Sequence, residues 1–174
     1  MSAAVILVLA VTFSAAAVHK LRDRQPFVAT LDALVPGRLA RPLSYAVPAA
    51  ELLLAGALVA GVLPRLVALL SIAALAVFSL ALLRLRGAAR GRAVIPCNCF
   101  GAAGDGDPAT GLVRNGLLTT LGAAALVWPV DGPLWTLPPA ELAGAATVAL
   151  GVLCCWQLGA ALLVPALRGQ EVMR

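Results

Sequence analysis

The chain has 174 residues, of which 61% are hydrophobic and 12% charged, with a formal net charge of +5. Soluble domains run nearer about 45–50% and about 25%. These proportions exclude a disordered chain, a collagen-like fibre and a small disulfide-stapled secreted scaffold, and they are too apolar for a soluble fold of this size. What remains is an all-α integral membrane protein, with the lipid bilayer as its surroundings. The basic excess does not indicate nucleic acid, because it sits in short polar segments between apolar runs, where it orients a chain in the bilayer.

A spanning helix needs about 20 mostly apolar residues. Five stretches meet that need, at about 2–18, 43–63, 66–83, 111–130 and 141–166. They are continuous rather than alternating, which argues against a β-barrel. Together they predict one transmembrane domain over residues 1–174. The first run could resemble a signal peptide, with small residues at Ser14 to Ala17. No Lys or Arg precedes it, so an uncleaved helix is the expectation.

Between the first two spans, residues 25–35 place Phe27, Leu31, Leu34 and Val35 on one helical face. Pro26 suits a first turn. This spacing predicts a short amphipathic helix at the membrane surface. The longest polar stretch, 84–110, joins the third and fourth spans and contains Ile95-Pro96-Cys97-Asn98-Cys99-Phe100-Gly101. Asp107 followed by Pro108 reads as a helix start. Beyond the fourth span, Trp128 and Trp135 flank a proline-rich connection and are expected at headgroup depth.

With five spans, Lys20, Arg22, Arg24, Arg38, Arg41, Arg84, Arg86, Arg90, Arg92, Arg114, Arg168 and Arg174 all fall on one side, and Arg65 alone on the other. The positive-inside rule then predicts a multi-pass cell-membrane protein with its N-terminus outside and its C-terminus cytoplasmic.

The same arrangement gathers the polar residues of the spans at one end. Glu51 lies inside the second span, and a carboxylate there costs about 2.5–3.5 kcal/mol on insertion scales. It should face the bundle and find a cation, for which Lys20 and Arg114 are at similar depth. A structural ion pair tying the helices together and a polar floor beneath a redox or ligand pocket both fit. His19 ends the first span and Asn115 follows Arg114.

Cys97 and Cys99 have a short redox spacing. Bridging them requires a bend and gives a strained ring, and strained disulfides are the more oxidising, labile ones. Inert loop thiols and soft-metal binding are the other readings of such a pair. Neither cysteine pair matches a structural zinc framework, and no metal is expected. Cys154 and Cys155 lie inside the fifth span, where free cysteine packs as a small hydrophobe.

Several marks now combine. They are Ala17-Val18-His19-Lys20-Leu21-Arg22-Asp23, the Phe27 to Leu34 stretch, Pro48-Ala49-Ala50-Glu51-Leu52-Leu53-Leu54-Ala55-Gly56, Cys97-Asn98-Cys99-Phe100-Gly101, and Val113-Arg114-Asn115. In this order they resemble the MauE family of methylamine-utilisation membrane proteins, within the wider DoxX-like group. The resemblance implies a DoxX-like four-helix bundle with a fifth helix packed outside it. It implies a small polytopic protein linked to thiol–disulfide exchange, an accessory to disulfide oxidoreduction with a thioredoxin-like partner in maturing the small subunit of methylamine dehydrogenase; the bacterial source is read from composition instead, with 12 Arg to one Lys and abundant Ala, Gly and Leu. DoxX-like relatives bring quinone-linked sulfur oxidation, which makes a quinone the cofactor class to consider. By resemblance, Cys97 and Cys99 are the redox pair, and Lys20, Glu51, Arg114 and Asn115 form the polar site beside it. The rival reading is a non-enzymatic membrane scaffold or assembly factor with incidental cysteines.

Overall fold

The structure, a computed structural model, describes residues 2–88, 108–130 and 132–171. Cys97, Cys99, Arg90, Arg92, Asp107 and Arg174 lie outside the described residues. The described chain is helical, with α1 at Ser2–Arg22, α2 at Arg24–Leu34, α3 at Gly37–Ala60, α4 at Pro64–Ala88, α5 at Pro108–Val127 and α6 at Pro139–Glu171, and a short 3-10 turn at Leu134–Thr136.

Among the described residues, three helical stretches are long and apolar enough to cross a membrane: Ala3–Arg22, Gly37–Ala60 and Pro64–Gly87. Pro139–Cys155 is a shorter apolar stretch. Helix α5 is 20 residues long but carries Arg114 and Asn115 in its second turn, which dilutes its apolar character.

Several helices outrun the apolar stretches that announce them. Helix α1 continues past Val18 to Arg22, α3 starts at Gly37 rather than near Leu43, and α4 continues past Leu83 to Ala88. The added turns carry Arg22, Arg38, Arg41, Arg84 and Arg86. Arginine is a good helix former, so hydropathy marks the apolar length and not the helical length. Helix α5 stops at Val127 instead of 130, just ahead of Pro129. One consequence is that Glu51 sits near the middle of α3, deeper than the two turns its apolar segment indicates.

Helix α1 is the central element. Ile6, Val8, Leu9, Ala10 and Phe13 are buried in the main core, together with Ala55 and Leu58 of α3, Val67, Ala68 and Leu75 of α4, Leu118 and Ala125 of α5, and Ala149 of α6. Helix α6 packs on α1. Cys154 and Cys155 do not fill the core: both are exposed and free, because the inward face of α6 is the one bearing Ala145 and Ala149.

The amphipathic stretch after α1 is helical, but it turns its apolar face into protein. Phe27 and Leu31 are buried against Ala40, Leu43 and Val47 of α3. Val35 ends α2 in an extended conformation ahead of Pro36.

Helices α4 and α5 run antiparallel, since Leu82 faces Gly111, Ser79 meets Asn115, and Ile72 faces Gly122. A Cβ on Gly122 would lie 2.9 Å from Ile72 Cγ1, so the missing side chain is what permits this approach. At the other end of the bundle, Gly61 closes α3 in the left-handed region at φ 62, with Gly61 N–H bonding to Leu58 O and Val62 N–H to Ala57 O. A Cβ there would lie 2.1 Å from Gly132 O, so the α3–α4 turn sits directly on the α5–α6 connection.

Candidate functional site: a buried ionic cluster between four helices

Lys20 lies in the last turn of α1, where a cation suits the helix dipole, but its side chain points inward and is only 3% exposed. Its ammonium donates to Glu51 Oε1 on α3. Two aromatic rings flank the same nitrogen, with Phe78 of α4 at 4.9 Å and Phe27 of α2 at 5.7 Å to the ring centroids. A desolvated ammonium over ring faces gains the aromatic quadrupole as well as the carboxylate.

The second carboxylate oxygen, Glu51 Oε2, is buried and has no hydrogen-bond partner among the described residues. Glu51 lines a cavity together with Leu9, Thr12, Lys20, Phe78, Arg114 and Asn115, among others. Asn115 is 3% exposed and donates from Nδ2 to Ser79 Oγ at 3.3 Å, while Ser79 donates to Leu75 O at 2.8 Å. Four helices (α1, α3, α4 and α5) therefore supply the walls, and Lys20, Glu51, Arg114 and Asn115 come together on them.

Among the described residues, the charged side chains lining the cavity are Lys20, Arg114 and Glu51. The cavity volume is about 20 Å³, room for about one water molecule. His19 does not line the cavity; its carbonyl accepts the Asp23 N–H at 2.8 Å where α1 ends.

Phe27, Phe78, Thr12 and Ser79 were not legible as site residues. Apolar and hydroxylated positions recur throughout these spans, and only tertiary packing singles these out: Phe27 and Phe78 lie over Lys20, Thr12 lines the cavity and Ser79 meets Asn115.

Residues 1–129 match the family described as Methylamine utilisation protein MauE. The chain belongs to the MauE family. The match contains every residue lining the cavity and ends just past α5, whereas α6 lies beyond it. The MauE region thus coincides with the helices that build the buried ionic cluster. No curated protein and no solved structure gives a match.

Proposed function

We propose that this MauE-family chain is a membrane component of methylamine utilisation that passes electrons between a Cys97–Cys99 dithiol and a thioredoxin-like protein. The observation that carries the reading is the cluster of Lys20, Glu51, Arg114 and Asn115, two cations beside one carboxylate among the described residues, at the end of the bundle where α4 leaves and α5 returns. In the sequence the Cys-x-Cys pair lies between α4 and α5, with Cys99 nine residues ahead of Pro108. A cation near a thiol favours the thiolate, which is the attacking species.

In the exchange, a thiolate of the pair attacks one sulfur of the partner's disulfide, and the partner's other sulfur leaves as a thiolate. The second cysteine then attacks the mixed disulfide and releases the partner as a dithiol. One disulfide is lost and one gained, and two electrons pass to the partner. The reverse sequence reduces the pair. A small strained ring makes the Cys97–Cys99 disulfide a ready oxidant.

In this reading α1, α3, α4, α5 and α6 are the five crossings of a DoxX-like bundle, with the N-terminus outside and the C-terminus cytoplasmic. Lys20 and Arg114 line the cavity. Removing them from the twelve basic residues of that side leaves ten, against Arg65 alone.

A scaffold reading has one observation in its favour: Lys20 already has a carboxylate and two ring faces as partners, which suffices to hold α1, α2, α3 and α4 together. Thiol labelling in intact cells separates the two. With Cys154 and Cys155 replaced by serine, the redox reading expects maleimide labelling of Cys97 and Cys99 only after reduction, and a shifted redox state of the partner in Cys97→Ser and Cys99→Ser. Thiols that stay free under oxidant, with an unchanged partner and unchanged growth on methylamine, sink it in favour of the scaffold. Impermeant and permeant reagents compared side by side report which membrane face the pair occupies.

A further inference from the structure

A second cationic feature lies at the corner where α2 meets α3, away from the cavity. Arg24 stacks on Tyr45 with its guanidinium carbon 3.6 Å from the ring centroid. Its Nε donates to Ser44 Oγ at 3.3 Å, and Ser44, fully buried, donates to Arg41 O at 2.7 Å. The guanidinium is thus fixed by a ring on one face and a bond at Nε. Its two terminal amino groups are left along one edge, the fork that matches two oxygens of a phosphate. Neither Asp23 nor Asp32 pairs with Arg24, Arg38 or Arg41 among the described residues.

The exposed stripe of α3 explains what such a fork would meet. Arg38, Arg41, Tyr45, Ala49, Leu52 and Gly56 follow one another at helical spacing, and all are exposed. The stripe is cationic over its first turns, aromatic at Tyr45 and apolar beyond. From Tyr45 to Gly56 it runs about 17 Å at 1.5 Å per residue. One leaflet of a bilayer core about 30 Å thick has nearly that depth. A headgroup held at Arg24, Arg38 and Arg41 would lay its acyl chains along Ala49, Leu52 and Gly56.

We propose that Arg24, stacked on Tyr45, together with Arg38 and Arg41, forms a binding site for the phosphate of an anionic phospholipid whose acyl chains lie on the apolar part of the same α3 face. The lipid is favoured over free phosphate because the apolar stripe continues directly from the cationic one. The site is independent of the thiol chemistry.

The full chain, purified in detergent, would be titrated with phosphatidylglycerol or phosphatidylcholine of matched acyl chains and read by native mass spectrometry. Wild type is expected to retain phosphatidylglycerol selectively. Arg38→Gln and Arg41→Gln should each lower its apparent affinity about fivefold, and Arg65→Gln, at the opposite end, should leave it unchanged. Arg24→Lys keeps the charge but loses the fork and the stack, and should weaken binding measurably. Arg38 and Arg41 are exposed, so their variants report even if an Arg24 variant folds poorly. Equal retention of both lipids by wild type, or an equal loss from Arg65→Gln, overturns the site. Displacement of bound lipid by inorganic phosphate assigns it to a soluble phosphate and overturns the lipid.

Discussion

Lys20 on α1 donates to Glu51 on α3, and the two side chains are 3% and 2% exposed. The pair links two helices from within, with no contribution from surface charge. Burying an ammonium and a carboxylate is expensive, and their attraction repays it only when both remain together. The arrangement therefore makes each residue depend on the other, and it places both beside Arg114 and Asn115 in one cavity.

That dependence gives an asymmetric mutational pattern. Lys20→Met or Glu51→Leu alone strands a buried charge and should destabilise the protein by about 3–5 kcal/mol. The double variant removes both charges and should recover most of that loss, since an apolar pair of similar volume is often neutral. Unfolding in detergent, arranged as a double-mutant cycle, measures the coupling. Additive losses would mean that the two residues act separately.

The turn at Gly61 makes a second contrast. Gly61→Ala forces a Cβ to 2.1 Å from Gly132 O at φ 62, and the obstacle is backbone, which cannot swing aside. Gly132→Ala also meets a positive φ, 93°, but its Cβ would find nothing within 4 Å. Gly132→Ala should therefore cost only the conformational strain, about 1–3 kcal/mol, and Gly61→Ala clearly more. Thermal melting of the two variants side by side checks the order, and the reverse order would show that the α3–α4 turn does not rest on the α5–α6 connection.

The α4–α5 contact depends on the same absence of a side chain. At Gly122 an added Cβ reaches Ile72 Cγ1 at 2.9 Å. Gly122→Leu should push α4 and α5 apart and weaken the Asn115–Ser79 hydrogen bond that crosses the same interface, whereas Gly122→Leu with Ile72→Ala should regain stability. Melting temperatures of the single and double variants test this, and no rescue by Ile72→Ala would place the clash elsewhere.

Much of the helix order was readable because each apolar run is long and unbroken. The ends were not, since Arg38, Arg41, Arg84 and Arg86 continue helices that hydropathy cuts short. Glu51, Lys20, Arg114 and Asn115 stood out as polar residues in apolar segments, and their convergence follows from placing those segments at a common end. The aromatic rings around Lys20 did not stand out. Phe27 belongs to a short amphipathic helix, and which wall that helix covers is decided by its packing on α3, a tertiary fact without a periodic signal. The outward position of Cys154 and Cys155 was hidden for a related reason: an evenly apolar helix does not announce which face its neighbours will bury.

Arg114 offers the test that ties the cluster to the proposed thiol chemistry. A cation near a thiol stabilises the thiolate and lowers the pH at which alkylation proceeds. Removing it acts in the opposite direction: Arg114→Gln should move the alkylation profile of reduced Cys97 and Cys99 to higher pH and slow labelling at neutral pH by about three- to tenfold. Arg114→Lys retains the charge and should stay close to wild type, which separates an electrostatic effect from loss of packing around the cavity. Rates would be followed with a maleimide across pH in protein lacking Cys154 and Cys155. Identical profiles for wild type and Arg114→Gln would disconnect the buried cluster from the cysteines, leaving Arg114 a purely structural member of the α5 wall.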